Sequence, residues 1–149
     1  YWSIMKVTSS IEDIVSNWPK VRYAIQQAAL LTPDNLKDIL VYNIACEILT
    51  GIRKIWILYD EKGIKAVIGA IIQRMGGVEP IPSVIISPVY GYSPMTEEDR
   101  NMLLEGIKDF AKVNNCKIIY AYSSNPKAWV ICEKSGMEFV SKVFKLEVI

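Results

Sequence analysis

Apolar residues recur along the 149-residue chain with two periods, and the places where one gives way to the other mark out the elements. Residues Tyr1 to Thr8 (YWSIMKVT) are apolar and β-branched and read as a first strand, and Ser9-Ser10 before Ile11-Glu12-Asp13 has the form of a helix start. From Ile11 to Leu31 the spacing is helical, through Ile14, Val15, Trp18, Val21, Ala24, Ile25 and Ala28, and Pro19 is expected to separate or kink two short helices. Thr32-Pro33-Asp34 places a capping hydroxyl ahead of a proline at the first helical position. Leu36, Leu40, Ile44 and Ile48 then share one face as far as Gly51, which predicts a third helix.

The period next shortens to that of strands. Lys54 to Tyr59 (KIWILY) and Ile64 to Gln73 (IKAVIGAIIQ) are joined by Asp60-Glu61-Lys62-Gly63, a connection that predicts an antiparallel hairpin. Met75 to Ser83 (MGGVEPIPS) is expected to be an irregular loop before a further central strand, Val84 to Tyr90 (VIISPVY). Pro88 interrupts that strand. Because proline cannot donate to a ladder, it marks either a bulge or the place where the strand parts from its neighbour. Thr96-Glu97-Glu98-Asp99 is a capping signature, followed by a stripe of Leu103, Leu104, Ile107, Phe110 and Ala111 that ends near Asn114-Asn115. Lys117 to Tyr122 (KIIYAY) reads as a short strand, Asn125 to Ser135 as a helix closed by Gly136, and Met137 to Val148 as one or two closing strands. The passage from Val84 to Tyr122 implies one right-handed parallel crossover in a mostly antiparallel sheet. The expected class is therefore α/β with a mixed sheet, as a single domain over residues 1–149.

Composition narrows the chemistry more than it widens it. With 51% hydrophobic and 22% charged residues the chain can bury a core, which excludes extended disorder. Lys and Arg (17) balance Asp and Glu (16) and are scattered, so no stripe exists to follow a nucleic acid backbone. The apolar stretch Ala66 to Ile72 is too short for a membrane span, and the N-terminal residues do not have the pattern of a signal peptide, so the expected location is cytoplasmic. Cys46, Cys116 and Cys132 form no CxxC pair and read as reduced thiols. There is no histidine, which removes Ser-His-Asp and Cys-His catalysis and the commonest metal ligand; no metal site is expected.

One segment carries a specific pattern. Asn125, Ala128, Glu133, Lys134 and Gly136 stand in the register Asn, two residues, Ala, three residues, Tyr-Glu-Lys, one residue, Gly-Phe, with Cys132 and Met137 in the tyrosine and phenylalanine positions. Locally, Asn125 can cap the helix, Ala128 lets it lie close to a neighbour, and Gly136 ends it in a left-handed turn. This segment resembles the last motif of the GNAT superfamily of acyl-CoA-dependent N-acetyltransferases, and the order of elements is similar over essentially the whole chain. The resemblance implies a GNAT-like acyl-CoA N-acyltransferase fold, a central mixed sheet flanked by helices. It implies acetyl-CoA as cosubstrate, an amine as acceptor, and a fourth strand that splays from the fifth so that the pantetheine arm enters the gap. Val89, Tyr90, Gly91 and Asn125 are then the expected cofactor-binding residues.

The same resemblance supplies the catalytic candidates. Cys132 stands where the family has the tyrosine thought to protonate the departing CoA thiolate, with Tyr122 and Ser124 at the end of the preceding strand as alternatives. Glu79, and after it Glu138, are the nearest carboxylates for the base that amine attack requires. Tyr90, Tyr92, Tyr120 and Tyr122 are expected around the groove. The family's phosphate loop, an Arg or Gln, two residues, Gly, one residue, and Gly or Ala, has no counterpart in Tyr90 to Asp99. Glu97, Glu98 and Asp99 put negative charge where a pyrophosphate needs donors. A GNAT-fold interaction or assembly module without CoA-dependent activity, engaging a protein partner, is the alternative.

Overall fold

The strand-like runs pair into a five-stranded sheet in the order β1 (Lys6–Thr8), β2 (Arg53–Asp60), β3 (Gly63–Met75), β4 (Ile81–Gly91), β5 (Ile119–Ala121). The computed structural model describes residues 6–29, 32–75, 81–122, 126–140, 144, 146 and 148. β1 to β4 are antiparallel neighbours, and β4 pairs β5 in parallel. The helix between β4 and β5 supplies the crossover that a parallel pair needs. The helices are α1 (Ile11–Ser16), α2 (Trp18–Ala28), α3 (Lys37–Thr50), α4 (Glu97–Val113) and α5 (Pro126–Lys134).

Alternation along the strands divides the core in two. Ile55, Ile57 and Val67 face Ile14 of α1, Val21 and Ile25 of α2 and Ile44 of α3. Trp56, Leu58, Ala66, Ile68 and Ala70 face the opposite side, against Leu103, Ile107 and Phe110 of α4. Successive strand residues point to opposite faces, so an apolar run such as IWIL fills both layers at once.

Several boundaries differ from the sequence expectation. The break between α1 and α2 falls at Asn17, and Pro19 sits in the first turn of α2, where its missing N–H is no loss. Thr32 does not cap α3: a 3-10 turn at Asp34–Leu36 comes first, and Leu36 precedes α3 without a side-chain cap. β4 begins at Ile81, inside the expected loop, and β5 is confined to Ile119–Ala121. The hairpin forms as expected, with Glu61-Lys62 as its turn and Gly63 at φ +123°. Residues 137–140, 144, 146 and 148 lie in no strand, while the rest of the expected closing strands, like Tyr1 to Met5 of the first, falls outside the described residues. No helix among the described residues is long and apolar enough to cross a membrane.

Candidate functional site

The site begins where β4 leaves β5. Val84, Ile85 and Ile86 pair with Ile119, Tyr120 and Ala121, after which β4 continues to Gly91 with β3 as its partner. At the same place the β3–β4 register shifts: Ile68 lies opposite Val89 but Ala70 lies opposite Ile86, so Gly69 faces Ser87 and Pro88 together. Pro88 therefore marks both a bulge and the parting of the strands. The Ser87-Pro88 peptide is cis.

Hydrogen-bond directions alternate along an extended strand, and an extra residue reverses their phase. Before the bulge the Val84 N–H points at β5, donating to the Ile118 carbonyl at 3.0 Å. After it the Tyr92 N–H points at β3, donating to the Lys65 carbonyl at 2.8 Å. Counting back from Tyr92, Tyr90 directs its backbone to β3, while Val89 and Gly91 direct theirs away from it, to the side β5 has left. Val89 is 42% exposed.

The bulge is held from the α1–α3 side. A Cβ on Gly69 would come within 2.7 Å of both the Ser87 carbonyl oxygen and Pro88 Cδ, so the bulged peptide occupies the space a side chain would take. Arg53, at the start of β2, donates from Nη1 to the Ser87 carbonyl and sits 3.4 Å from Glu47 Oε2 of α3. Its side chain is 10% exposed, and its buried Nε has no partner among the described residues. Burial lowers its pKa, against the attraction of Glu47.

Beyond Gly91 the chain enters α4 through a closed cap. Thr96 Oγ1 accepts from the Asp99 N–H at 3.1 Å, and Asp99 Oδ2 accepts from the Thr96 N–H at 2.9 Å. Asp99 is 1% exposed and also accepts from Lys65 Nζ at 2.6 Å. Lys65 is the extra residue of a second bulge, between the Leu58–Ala66 and Tyr59–Ile64 pairs. That bulge lets it reach α4. Burial works to raise the Asp99 pKa, but the bonds from Lys65 and Thr96 outweigh it and hold the carboxyl below its usual value. Glu97 and Glu98 remain exposed at the same helix end.

The expected site residues fall in different places. Val89, Tyr90 and Gly91 form the open stretch of β4, and Tyr122 lies one residue past β5, at the far lip of the parting. Cys132 is half-buried on α5, on a face with Ala128 and Ile131; burial, then the Glu133 charge, pushes its thiol pKa up. Gly136 ends α5 at φ +87°, with the Met137 N–H on the Cys132 carbonyl at 3.0 Å. Glu138 is exposed. Glu79, Ser124 and Asn125 lie outside the described residues. Tyr90 and Tyr92 do cluster, their ring centroids 5.1 Å apart, and they are joined by Tyr23 of α2 at 5.9 and 6.0 Å. The Tyr92 hydroxyl donates to the Lys20 carbonyl.

Arg53, Gly69, Lys65 and Tyr23 were not among the expected site residues. A signal existed for Gly69, a lone glycine inside an apolar strand, which often marks close backbone approach. Lys65 is a lone charge inside an apolar strand, and Arg53 with Lys54 opens another. Tyr23 carried no signal, because its helix spacing places it on the outer side of α2.

No family model matches the chain, and no curated protein matches it in sequence. Solved structures do match. A predicted acetyltransferase from Clostridium acetobutylicum, solved with acetyl-CoA, superposes with a TM-score of 0.75 at 13% identity, over 97% of this chain and 96% of that one. The aminoglycoside acetyltransferase AAC(6')-Iy, solved with a CoA-containing bisubstrate analogue, gives 0.73 at 14% identity over 99% of both chains. An aminoglycoside 6'-N-acetyltransferase from Acinetobacter baumannii gives 0.69 at 15% identity, over 98% of this chain and 99% of that one. At these identities the likeness is one of fold.

Proposed function

We propose that this chain, whose fold is that of the GNAT N-acetyltransferases, transfers an acyl group from an acyl-CoA to an amine. The observation that carries the reading is the stretch of β4 after Ile86, where the strand runs on past its β5 partner behind a bulge. The outward backbone groups of Val89 and Gly91 offer donors and acceptors to an extended ligand rich in amides, and the pantetheine arm of CoA is one. Strand addition of this kind draws affinity from main-chain hydrogen bonds. Asn125, by the motif resemblance, would touch the same ligand.

The transfer needs an amine nitrogen to form a bond to the thioester carbonyl carbon while the carbon–sulfur bond breaks. The nitrogen gives up a proton, and the CoA thiolate takes one. Cys132 suits the second task in one respect: its raised pKa keeps the thiol protonated at neutral pH, with a proton to give. Tyr122 is the alternative donor from the lip of the opening, and Glu79 the proposed base. The aminoglycoside acetyltransferases that share this fold make polyamine-like acceptors the first panel to try.

A specific observation favours a second reading, a GNAT-fold module without turnover. The first turn of α4 is closed by the Thr96–Asp99 box and carries Glu97 and Glu98, so it lacks the open, positive character that a pyrophosphate seeks. Isothermal titration with CoA and acetyl-CoA tests the first reading, which expects saturable binding. No binding at millimolar CoA would sink it. Binding without thiol release from acetyl-CoA across a panel of primary amines and aminoglycosides favours the second reading.

A further inference from the structure

We propose that Arg53 is a positioning residue for the acyl-CoA site, acting through the Ser87 carbonyl to hold the β4 bulge; this rests on the transferase reading above. The bulged peptide has a bonding problem that the ladder cannot solve. Pro88 brings no N–H, and the Ser87 carbonyl lies over Gly69, out of line with the β3–β4 ladder. Arg53 meets it from two strands away, donating across the sheet face. A half-buried carbonyl that the ladder cannot pair gains from another donor, and a charged donor is among the strongest partners available.

The guanidinium is itself fixed from behind. Glu47, on α3, stands 3.4 Å from Nη2 and ties the clamp to the helix layer. Among the described residues its buried Nε has no partner, so the bonds at Nη1 and Nη2 are what hold the guanidinium. A long side chain that merely covered the sheet would not need a buried charge. What the clamp secures is phase: with the bulge in place Val89 and Gly91 turn their backbones to the opening, and without it Tyr90 would. Among the described residues the polar contacts of Arg53 go to Ser87 and Glu47, so it acts on the opening through Ser87.

The test compares Arg53→Met and Arg53→Lys with the wild type and with Ile44→Val, a control that removes one methylene from the α3 core and changes neither Arg53 nor Ser87. CoA is titrated into each, and thermal stability and the amide spectra of Val89 and Gly91 are recorded. Arg53→Met is expected to bind CoA at least about tenfold more weakly and to shift both amides, as small displacements of a binding frame do. Arg53→Lys, which keeps a cation able to donate to Ser87, should recover part of the loss. Ile44→Val should lower stability and leave CoA affinity unchanged. Wild-type affinity in a folded Arg53→Met, or an equal loss in Ile44→Val, overturns the role of Arg53. A wild type that does not bind CoA overturns the transferase reading, and this proposal with it.

Discussion

Replacing Gly69 by alanine adds one methyl group where the sheet has no room for it. The new Cβ would stand 2.7 Å from the Ser87 carbonyl oxygen, 2.7 Å from Pro88 Cδ and 2.9 Å from Ile55 Cδ1. Ordinary contact begins near 3.4 Å, so two of the three approaches are short by about 0.7 Å. Those two obstacles are a peptide and a proline ring, which cannot rotate away, and Ile55 is fully buried. Overpacking of this kind costs about 1–3 kcal/mol. Displacing the Ser87 carbonyl from Arg53 adds the loss of a charge-assisted hydrogen bond, about 1.5–3 kcal/mol. Alanine returns roughly 0.5–1 kcal/mol by restricting the unfolded chain. The expected net loss is about 1.5–5.5 kcal/mol, or roughly 3–22 °C in Tm for a chain of this size. Urea unfolding followed by tryptophan fluorescence measures it, with Gly51→Ala as a comparison: Gly51 has φ +84° and open space, so its substitution reports backbone conformation alone. A Gly69→Ala protein within about 0.5 kcal/mol of wild type would refute the claim that the bulge occupies that space.

The remaining expectations concern the end of α4. Asp99 has a lowered pKa, so its ion pair adds stability above the unfolded carboxyl value of about 3.9 and loses it as pH falls through the folded value. Asp99→Asn should cost about 2–3 kcal/mol at pH 7, since it leaves Lys65 unpaired and weakens the cap. Its urea midpoint should converge with that of wild type in acid, and a gap as wide at pH 3 as at pH 7 would show that the Lys65 attraction is not the cause. Removing exposed negative charge by Glu97→Gln with Glu98→Gln should tighten CoA binding about two- to tenfold at low salt and much less at high salt. An unchanged titration at low salt would remove the charge-based objection to pyrophosphate binding there.

The hairpin, the α4 helix and the Gly136 stop were legible because each is decided within a few residues. Asp60 to Gly63 can turn only tightly, Thr96 and Asp99 cap each other three residues apart, and a glycine at positive φ ends α5. Where a local cue met a competing partner it misled. Thr32 and Pro33 have the form of a helix start, yet a 3-10 turn intervenes before α3. Pro88 announced a disturbance in β4 but could not say which kind, because that depends on what β3 and β5 do alongside it.

Thus the order of elements as far as α5, and the glycine stop that ends α5, follow from the residues alone, since period, capping and glycine placement are short-range physics. Which backbone groups of β4 face the opening is a different matter. It depends on one extra residue in β4, on the space left by Gly69 eighteen residues before Ser87, and on Arg53 reaching that carbonyl from β2. Lys65 likewise meets Asp99 only after a bulge turns it toward α4. Such contacts join residues far apart in the chain, and the energy of each exists only once the sheet has brought them together.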